Sequence, residues 1–432
     1  MELGLAASIV GGVLAVWSGR IALGLQDPAF GLRSLWPAAL LFAGVVAWII
    51  VQSQVRLVAA WNHPLWEMSA AALGESRWKA ISLDPFATVL GLARLLTYAG
   101  IFWIAFQYAR RSLRARQILL AVVYAGLAYA VYGLVIYLTG SETILIFRKH
   151  AYLGDVTSTF VNRNSYATYA GLGLVCTTGL LLVLLTQGPL GPATDLKQRV
   201  ARLAEIAIGR GWPLLLAWIA LMTALVLSHS RAGVASTILG LIVLLTAAGL
   251  TRAIDRRFAL ISAGVCVVGF VWAFGVGGDQ LIGRLMQTSL ASEERPLVYS
   301  RTMAAIGDSG GLGTGLGTFE EAFRFYRTSD INGHFNMAHN TYLENVLELG
   351  VPAALALFGV FAFFLGLCAW GIRQRRRDSV YPCVGFAVSV LVATHATVDF
   401  SLQIPAVTAT YMLIMGAACA QCWSSRRPAD PW

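Results

Sequence analysis

Charged residues are scarce in this chain. Of its 432 residues, 12% are Asp, Glu, Lys or Arg, whereas soluble domains carry about 25%. Hydrophobic residues make up 57%, and the mean hydropathy is +0.67. The apolar residues also occur in blocks of roughly 20, the length that crosses a bilayer. The composition therefore excludes an ordinary soluble protein and predicts an integral membrane protein.

The chain has few residues of the kinds that hold metal ions. Six histidines and six cysteines are present, with no His-Glu-x-x-His or Asp-x-Asp motif. Cys419 and Cys422 form a C-x-x-C motif, but no second pair accompanies it and both end an apolar segment. This position favours packing over zinc or redox chemistry. We therefore predict no metal site and no cofactor.

Three further absences narrow the class of function. The N-terminal apolar run has no basic start, so it is predicted to be a membrane segment and not a cleavable signal peptide. No internal repeat is present, although glycan transporters are expected to show repeats with interrupted helices, so a lipid-linked glycan transporter is a lesser alternative. The basic residues behind the net charge of +10 lie between apolar blocks, as topology signals do, which disfavours nucleic acid binding.

Eleven apolar blocks are long enough to be membrane spans, with room for a further half-span at residues 18–33. The predicted fold is an all-α, polytopic integral membrane helical bundle of about 11–12 transmembrane helices, forming a single membrane domain over residues 1–432. The blocks lie near residues 3–17, 34–52, 86–109, 117–138, 165–186, 212–229, 232–250, 258–276, 350–371, 379–397 and 404–422.

The loops alternate in charge from residue 86 onward. One set is dense in Lys and Arg and is predicted to be cytoplasmic, as is the C-terminus. The other set is predicted to face the periplasm of a bacterial inner membrane. In this set, residues 277–349 form a large, partly helical loop with helix-like stretches at Phe319–Arg327 and His339–Leu349. Long loops with their own structure are usually functional, so the chemistry is expected there.

Ser228-His229-Ser230-Arg231-Ala232-Gly233 joins two apolar runs almost without a loop. Arg231 is therefore expected at the outer membrane surface, where an arginine is unfavourable unless it meets an anion or a carboxylate. A guanidinium can donate two hydrogen bonds to phosphate oxygens, which predicts a diphosphate ligand. A snorkelling arginine at a helix end is the alternative.

Arg301 and a glycine-rich segment, residues 310–319, lie further along the large loop. Backbone N–H groups of such a segment can cradle phosphate oxygens, so Gly315 and Gly317 are candidate substrate-binding residues together with Arg301. No βαβ unit surrounds the glycines, which excludes a dinucleotide-binding fold. A tight structural turn and an ordinary loop arginine are the alternatives.

His339 opens the segment that returns to the membrane at Gly350. A histidine near the bilayer surface is suited to accept a proton from an attacking sugar hydroxyl, so His339 is the candidate catalytic base. Asn340 beside it is a candidate substrate-binding residue. The alternative is that His339 only caps or packs the following helix, and the competing bases are His229, His334 and His395.

Arg94 is a further cation inside a predicted span. It is a candidate for binding the second phosphate, or for pairing with a distant acid such as Asp399.

These segments together resemble the O-antigen ligase family and the related polymerases. The resemblance covers roughly residues 80–420 and rests on the order of several short motifs. They are Asn162-Arg163-Asn164-Ser165-Tyr166-Ala167, Ser230-Arg231-Ala232-Gly233, Gly313-Thr314-Gly315-Leu316-Gly317-Thr318-Phe319, His339-Asn340-Thr341-Tyr342-Leu343 and Asp399-Phe400.

The resemblance implies a metal-independent, inverting membrane glycosyltransferase with an undecaprenyl-diphosphate-linked glycan as donor and a sugar hydroxyl as acceptor. It implies that Arg231 and Arg301 hold the diphosphate and that His339 activates the acceptor. The leading prediction is an O-antigen ligase that acts on lipid A–core at the periplasmic face. The alternatives are a polymerase of O-antigen or exopolysaccharide, and an enzyme that attaches the glycan to protein.

Overall fold

The computed structural model describes residues 2–54, 59–74, 79–187, 209, 211–251, 256–257, 260–264, 290–375 and 377–423. These residues are mostly helical, with one two-stranded hairpin. Seven of the helices are long and apolar enough to cross a membrane, which confirms the all-α, polytopic membrane fold. The seven spans are Gly4–Ala22, Arg33–Ser53, Pro85–Tyr108, Ser112–Leu138, Arg163–Leu185, Arg231–Leu250 and Val351–Gln374.

Fourteen helices and two strands follow one another along the described residues, with short 3-10 turns at Leu32–Leu35, Ala59–Trp61 and Ser401–Gln403. They are α1 Glu2–Ala22, α2 Trp36–Ser53, α3 Leu65–Leu73, α4 Pro85–Tyr108, α5 Ser112–Leu138, β1 Thr143–Ile144, β2 Phe147–Arg148, α6 Arg163–Gln187, α7 Trp212–Leu227, α8 Arg231–Leu250, α9 Leu290–Asp308, α10 Phe319–Phe323, α11 Thr341–Leu349, α12 Val351–Gln374, α13 Val380–His395 and α14 Pro405–Ala420.

Ten of these helices correspond to predicted spans, including the three apolar helices of 16 residues, α7, α13 and α14. Helix α1 has 21 residues and ends at Ala22. The first span is therefore a single helix that extends beyond the predicted residues 3–17. The predicted span near 258–276 lies largely outside the described residues. So do residues 277–289 of the large loop and several basic residues of the predicted cytoplasmic loops.

Local sequence explains where several helices begin. Prolines stand in the first turn of α2, α7 and α14, where a missing N–H is tolerated and the fixed φ suits a helix. Ser230 caps α8 by accepting a hydrogen bond from the Gly233 N–H, at 3.2 Å. Since α7 ends at Leu227 and α8 begins at Arg231, the turn between them is as tight as the sequence predicts.

The chain divides into two compact units. The first, unit 1, comprises Met1–Gly100, Val276–Phe364 and Ala396–Phe400. The second, unit 2, comprises Ile101–Gly275, Leu365–His395 and Ser401–Trp432.

Unit 2 is built around α6. In the apolar stretch of this helix 78% of the residues are buried, more than in any other described span. Helices α5, α7, α8, α13 and α14 pack around it. A spanning helix this enclosed by protein can carry polar groups, because neighbouring helices replace the lipid at their positions.

Unit 1 contains a folded extramembrane part made by α9, α10 and α11. Their shared apolar core includes Phe319, Phe323, Ile331, Phe335 and Leu347, all with 8% or less of their surface exposed. Burying each phenylalanine stabilises the fold by about 1.5–3 kcal/mol. The described part of the large loop is therefore structured. It includes α9, which the sequence did not predict, and the predicted helices near residues 319 and 341.

Gly350 lets the chain turn from α11 into α12. Its φ of +77° is one that L-residues rarely adopt, and a Cβ there would collide with the carbonyl oxygen of Gly311. Leu349 before the turn and Ala353, Ala354 and Leu357 after it pack with α2 in a second apolar core of unit 1. The turn anchors the extramembrane part to a membrane helix.

Candidate functional site

The histidine cluster, defined as Arg295, His339 and Asp399, lies in unit 1. The His339 Nδ1 is 3.4 Å from the Arg295 Nη2 and 3.9 Å from the Asp399 Oδ1. Arg295 also donates to the Val398 carbonyl at 3.2 Å and lies 4.0 Å from the second Asp399 oxygen. A buried carboxylate, a cation and an imidazole therefore meet at one point.

The backbone around His339 is held from both sides. Its φ is +53°, and Tyr299 donates a hydrogen bond from its hydroxyl to the His339 carbonyl at 2.8 Å. Asn340 accepts hydrogen bonds from the N–H groups of Tyr342 and Leu343, at 3.0 and 3.1 Å, and so caps α11. The Asn340 amide also donates to the Thr397 carbonyl. Asn340 thus positions this segment, and its predicted contact with substrate stays a prediction.

The environment of His339 keeps its ring neutral. Burial, and to a smaller degree the Arg295 cation, lowers the pKa of His339 to about 4. The ring edges of Phe335 and Phe400 lie against it, with centroids 6.0 and 4.7 Å away. The side chain retains 17% of its surface exposed, whereas Asp399 retains 1%. A neutral, partly accessible imidazole can accept a proton near pH 7.

The two arginines that the sequence singled out in unit 1 make no close ion pair among the described residues, although the charge of Arg301 contributes to lowering the pKa of Asp330. Within the described ranges no Asp or Glu comes within 4.0 Å of Arg94 or Arg301. The Nε of Arg301 is buried without a hydrogen-bond partner. Arg94 is exposed on α4, so the pairing with Asp399 is not seen. Arg301 follows Arg295 by six residues on α9, and its role in binding substrate stays a prediction.

The glycine-rich segment binds a carboxylate of the protein itself. Glu348 is 5% exposed and accepts hydrogen bonds from the N–H groups of Gly317, Thr318 and Phe319. The Gly315 N–H donates to the Glu348 carbonyl at 2.9 Å. These contacts favour the structural turn, because a phosphate at Gly315 or Gly317 would first have to displace them. The sequence alone did not indicate Glu348.

Replacing Glu348 by alanine is expected to destabilise the protein by about 1–3 kcal/mol, because N–H groups of the glycine-rich segment, that of Phe319 foremost, lose their acceptor. Burial raises the pKa of Glu348 above its usual 4.5. Its stabilising effect is therefore present below the unfolded-state pKa and is lost as pH rises through the folded-state pKa. Glu348→Gln should flatten this pH dependence. Thermal unfolding in detergent between about pH 5 and 8 tests both effects, and Glu67→Ala, which removes an exposed carboxylate, is the surface control.

The motif cluster, defined as Asp155, Arg163, Asn164 and residues 229–231, lies in unit 2. Asp155 bonds the Arg163 Nη1 at 2.8 Å and the His229 Nδ1 at 2.7 Å. Ser230 donates from its hydroxyl to the Asn164 amide oxygen at 2.8 Å. The tight turn before α8 and the start of α6 are thereby joined. Two segments on which the resemblance rests, residues 162–167 and 230–233, are neighbours in the fold.

Arg231 is the first residue of α8 and is exposed at its N-terminus. No carboxylate among the described residues lies within 4.0 Å of it, whereas Arg163 nearby is paired with Asp155. The N-terminus of a helix carries a partial positive charge and free N–H groups, both of which favour an anion. Arg231 is therefore placed to bind an external anion.

Removing Asp155 is expected to destabilise unit 2 by about 2–3 kcal/mol, because Arg163 and His229 lose a shared, largely buried acceptor. Asp155→Asn keeps the shape and one acceptor, so its effect should be smaller. The measurement is thermal unfolding of purified protein in detergent. Glu67→Ala, which removes an exposed ion pair with Lys79, is the matched control and should change stability by less than about 0.5 kcal/mol. Equal losses for Asp155→Ala and Glu67→Ala would contradict the structural role.

Residues 215–358, one third of the chain, match the family model described as O-antigen ligase. The matched segment contains Arg231, Arg295, Arg301 and His339. This match supports an O-antigen ligase-like family. The chain is a multi-pass membrane protein, and the match supports a membrane enzyme of the O-antigen ligase or polymerase type. No curated protein matches it significantly.

Two residues, Asp155 of the motif cluster and Arg295 of the histidine cluster, were not predicted from the sequence. Asp155 carries the only formal charge between Lys149 and Arg163, and a lone carboxylate in so uncharged a stretch is a signal that could have revealed it. Arg295 follows two glutamates in an ordinary polar segment, so nothing in the sequence separates it from a surface arginine. Only folding brings it to His339.

Proposed function

We propose that the protein is an O-antigen ligase. It transfers a glycan from an undecaprenyl-diphosphate donor to a sugar hydroxyl of lipid A–core, at the periplasmic face of the bacterial inner membrane. The transfer inverts the anomeric centre and needs no metal ion. Support comes from the family match, from the order of the motifs and from the environment of His339.

The single observation that carries this proposal is the setting of His339, whose Nδ1 lies 3.4 Å from Arg295 and 3.9 Å from the buried carboxylate of Asp399. The pKa of His339 is lowered to about 4, so its imidazole is unprotonated at neutral pH. Its carbonyl accepts a hydrogen bond from Tyr299, the ring of Phe400 packs against the imidazole in a T-shaped contact, and Asn340 caps the following helix. A fixed general base contributes typically about 10²–10⁴-fold to a rate. Glycan transfer to a hydroxyl needs such a group.

In the proposed step, the acceptor oxygen attacks the anomeric carbon of the donor as its proton passes to His339. The bond from this carbon to the diphosphate oxygen breaks, and the electron pair leaves with the diphosphate. Attack opposite the leaving group inverts the anomeric configuration. Arg231 and Arg301 stabilise the charge that develops on the diphosphate.

Arg295 and Asp399 compete for the same nitrogen of His339. A guanidinium can only donate, so the 3.4 Å contact with Arg295 makes Nδ1 an acceptor and places the ring proton on Nε2. If the donor diphosphate draws Arg295 away, Nδ1 can carry the proton toward Asp399, 3.9 Å away. Nε2 is then free to act as the base. In this mechanism donor binding activates the histidine.

The test is transfer by purified full-length protein in detergent or nanodiscs. The assay contains an undecaprenyl-diphosphate glycan, a lipid A–core acceptor and EDTA in place of divalent metal. The expected product is glycosylated lipid A–core with inverted anomeric configuration, identified by mass spectrometry and NMR.

Other products identify the alternatives. Lengthening of the glycan on the donor lipid, with unmodified lipid A–core, would make the protein a polymerase. Loss of transfer in EDTA that added metal restores would contradict metal independence. Movement of the lipid-linked glycan across vesicles without a new glycosidic bond would favour the transporter.

A further inference from the structure

The hairpin formed by β1 and β2 in unit 2 joins α5 to α6. Thr143 pairs with Arg148 and Ile144 with Phe147, which leaves Leu145 and Ile146 as the two-residue turn. Turns of this length favour Asn-Gly or Gly-containing pairs, because positive φ values are needed. Here Leu145 has a φ of +53°. An apolar residue in this strained conformation is unusual and invites an explanation beyond the stability of the turn.

The tip of this hairpin is apolar and open. The exposed fractions of Leu145, Ile146 and Phe147 are 63%, 88% and 68%. Three consecutive exposed apolar side chains at a turn do not stabilise a protein surface in water. Clustered apolar exposure of this kind marks a contact with a partner or a lipid phase.

The tip lies alongside a membrane helix. The Leu145 N–H donates a hydrogen bond to the Tyr132 hydroxyl at 2.7 Å. Tyr132 precedes the end of α5 by six residues, about 9 Å along the helix axis. The turn is therefore folded back beside the last turns of a spanning helix. Val131, Val135 and Leu138 form an exposed stripe on these same turns, at the spacing of one helix face. The apolar tip is next to a surface that faces lipid.

Contacts of Lys149 hold the base of the hairpin in place, and the residues that follow the apolar tip are basic. Lys149 bonds the Asp155 carbonyl at 2.8 Å and pairs with Glu142 at 3.4 Å, and its N–H donates to the Glu142 carbonyl. Arg148, next to the apolar tip, is exposed, as is His150. An apolar tip followed by an exposed cation matches the layering of a leaflet, with acyl chains below phosphates.

We propose that this hairpin is a lipid-binding element. Ile146 and Phe147 insert among the acyl chains of the adjacent leaflet, and Arg148 binds the phosphate of an anionic phospholipid. The hydrogen bond from Leu145 to Tyr132 holds the turn at a depth in the leaflet where the apolar side chains reach the acyl chains and Arg148 reaches the phosphate.

The experiment places an environment-sensitive nitrobenzoxadiazole probe on Ile146→Cys in the full chain, reconstituted in nanodiscs of phosphatidylcholine with about 30% phosphatidylglycerol. The matched sites are Val135→Cys, on the lipid-facing stripe, and His150→Cys, at the base of the hairpin. Wild-type protein treated in the same way corrects for native cysteines. Nitroxide phospholipids with a shallow label are expected to quench the probe at residue 146 at least half as strongly as at 135. Quenching at 150 should be less than half of that at 146.

A second arm tests the role of charge. Nitroxide-labelled phosphatidylglycerol should quench the probe at 146 at least 1.5-fold more than labelled phosphatidylcholine, and Arg148→Gln should remove the difference. Equal quenching by both lipids in the wild-type background would overturn the phosphate contact. Quenching of residue 146 by aqueous iodide, but not by lipid, would overturn insertion. Protection from both quenchers would assign the tip to a protein partner, and relief of lipid quenching by lipid A–core would assign it to the glycolipid acceptor. Either result would contradict the phospholipid assignment.

Discussion

Replacing His339 by alanine is expected to lower the rate of glycan transfer by about 10²–10⁴-fold. The substitution removes the group that takes the proton from the acceptor hydroxyl, while donor binding through the arginines is retained. The loss should therefore fall on kcat, with KM for the donor changed little. The measurement is the purified transfer assay, with insertion and folding confirmed by size-exclusion chromatography and thermal unfolding.

Two variants separate loss of the base from loss of the fold. His339 has a φ of +53°, a conformation that asparagine tolerates, so His339→Asn should fold normally and yet be inactive. His334 is the matched control, because it lies five residues earlier with 68% of its side chain exposed. His334→Ala should keep nearly full activity. An active, well-folded His339→Asn would falsify the assignment of the base.

The pH profile gives an independent test of the same residue. The pKa of His339 is lowered to about 4 by burial and by Arg295, so the base form is present above this value and is lost as pH falls through it. The value of kcat/KM, which reports the free enzyme, should therefore change less than about twofold between pH 5.5 and 8, whereas an ordinary histidine would lose half of its base form near pH 6.5. Arg295→Gln removes the smaller of the two causes, so the acid limb should move to higher pH. A wild-type midpoint near 6.5 would contradict this environment.

Replacing Arg231 by alanine is expected to lower kcat/KM for the donor by about 10²–10³-fold, the loss typical of removing one donor to a developing oxyanion. Arg231 lies at the N-terminus of α8 without a carboxylate partner among the described residues, so no ion pair among them neutralises its charge. The assay is the same transfer reaction, performed over a range of donor concentrations.

Arg231→Lys keeps the charge but loses the two-pronged geometry, so its activity should lie between alanine and wild type. Arg114→Ala is the matched control, because Arg114 is also an exposed arginine in the first turn of a spanning helix, against the ring of Tyr108. It should leave donor kinetics unchanged. Equal losses for Arg114→Ala and Arg231→Ala would indicate a general effect of surface charge on membrane insertion.

Much of the architecture can be predicted from the amino-acid sequence. Apolar blocks of about 20 residues predict the spanning helices, because the bilayer offers the backbone no other partners. The tight turn before Arg231 follows from two apolar runs separated by a few polar residues. Phe319 and Leu347 predict a folded loop because apolar residues recur there at helical spacing. These features depend on local composition and on the spacing of apolar residues, so they can be predicted from the sequence before the tertiary structure is known.

The partners of the polar groups that meet over long distances in sequence were decided by tertiary structure alone. The glycine-rich segment has the composition of a phosphate cradle, yet Glu348, about 30 residues away, occupies its N–H groups. Arg295 and Asp399 lie 44 and 60 residues from His339 in sequence and meet it only in the fold. Residue type and spacing determine what a side chain can do chemically. Which charge, donor or ring stands beside it, and so whether His339 is neutral, depends on contacts between distant segments.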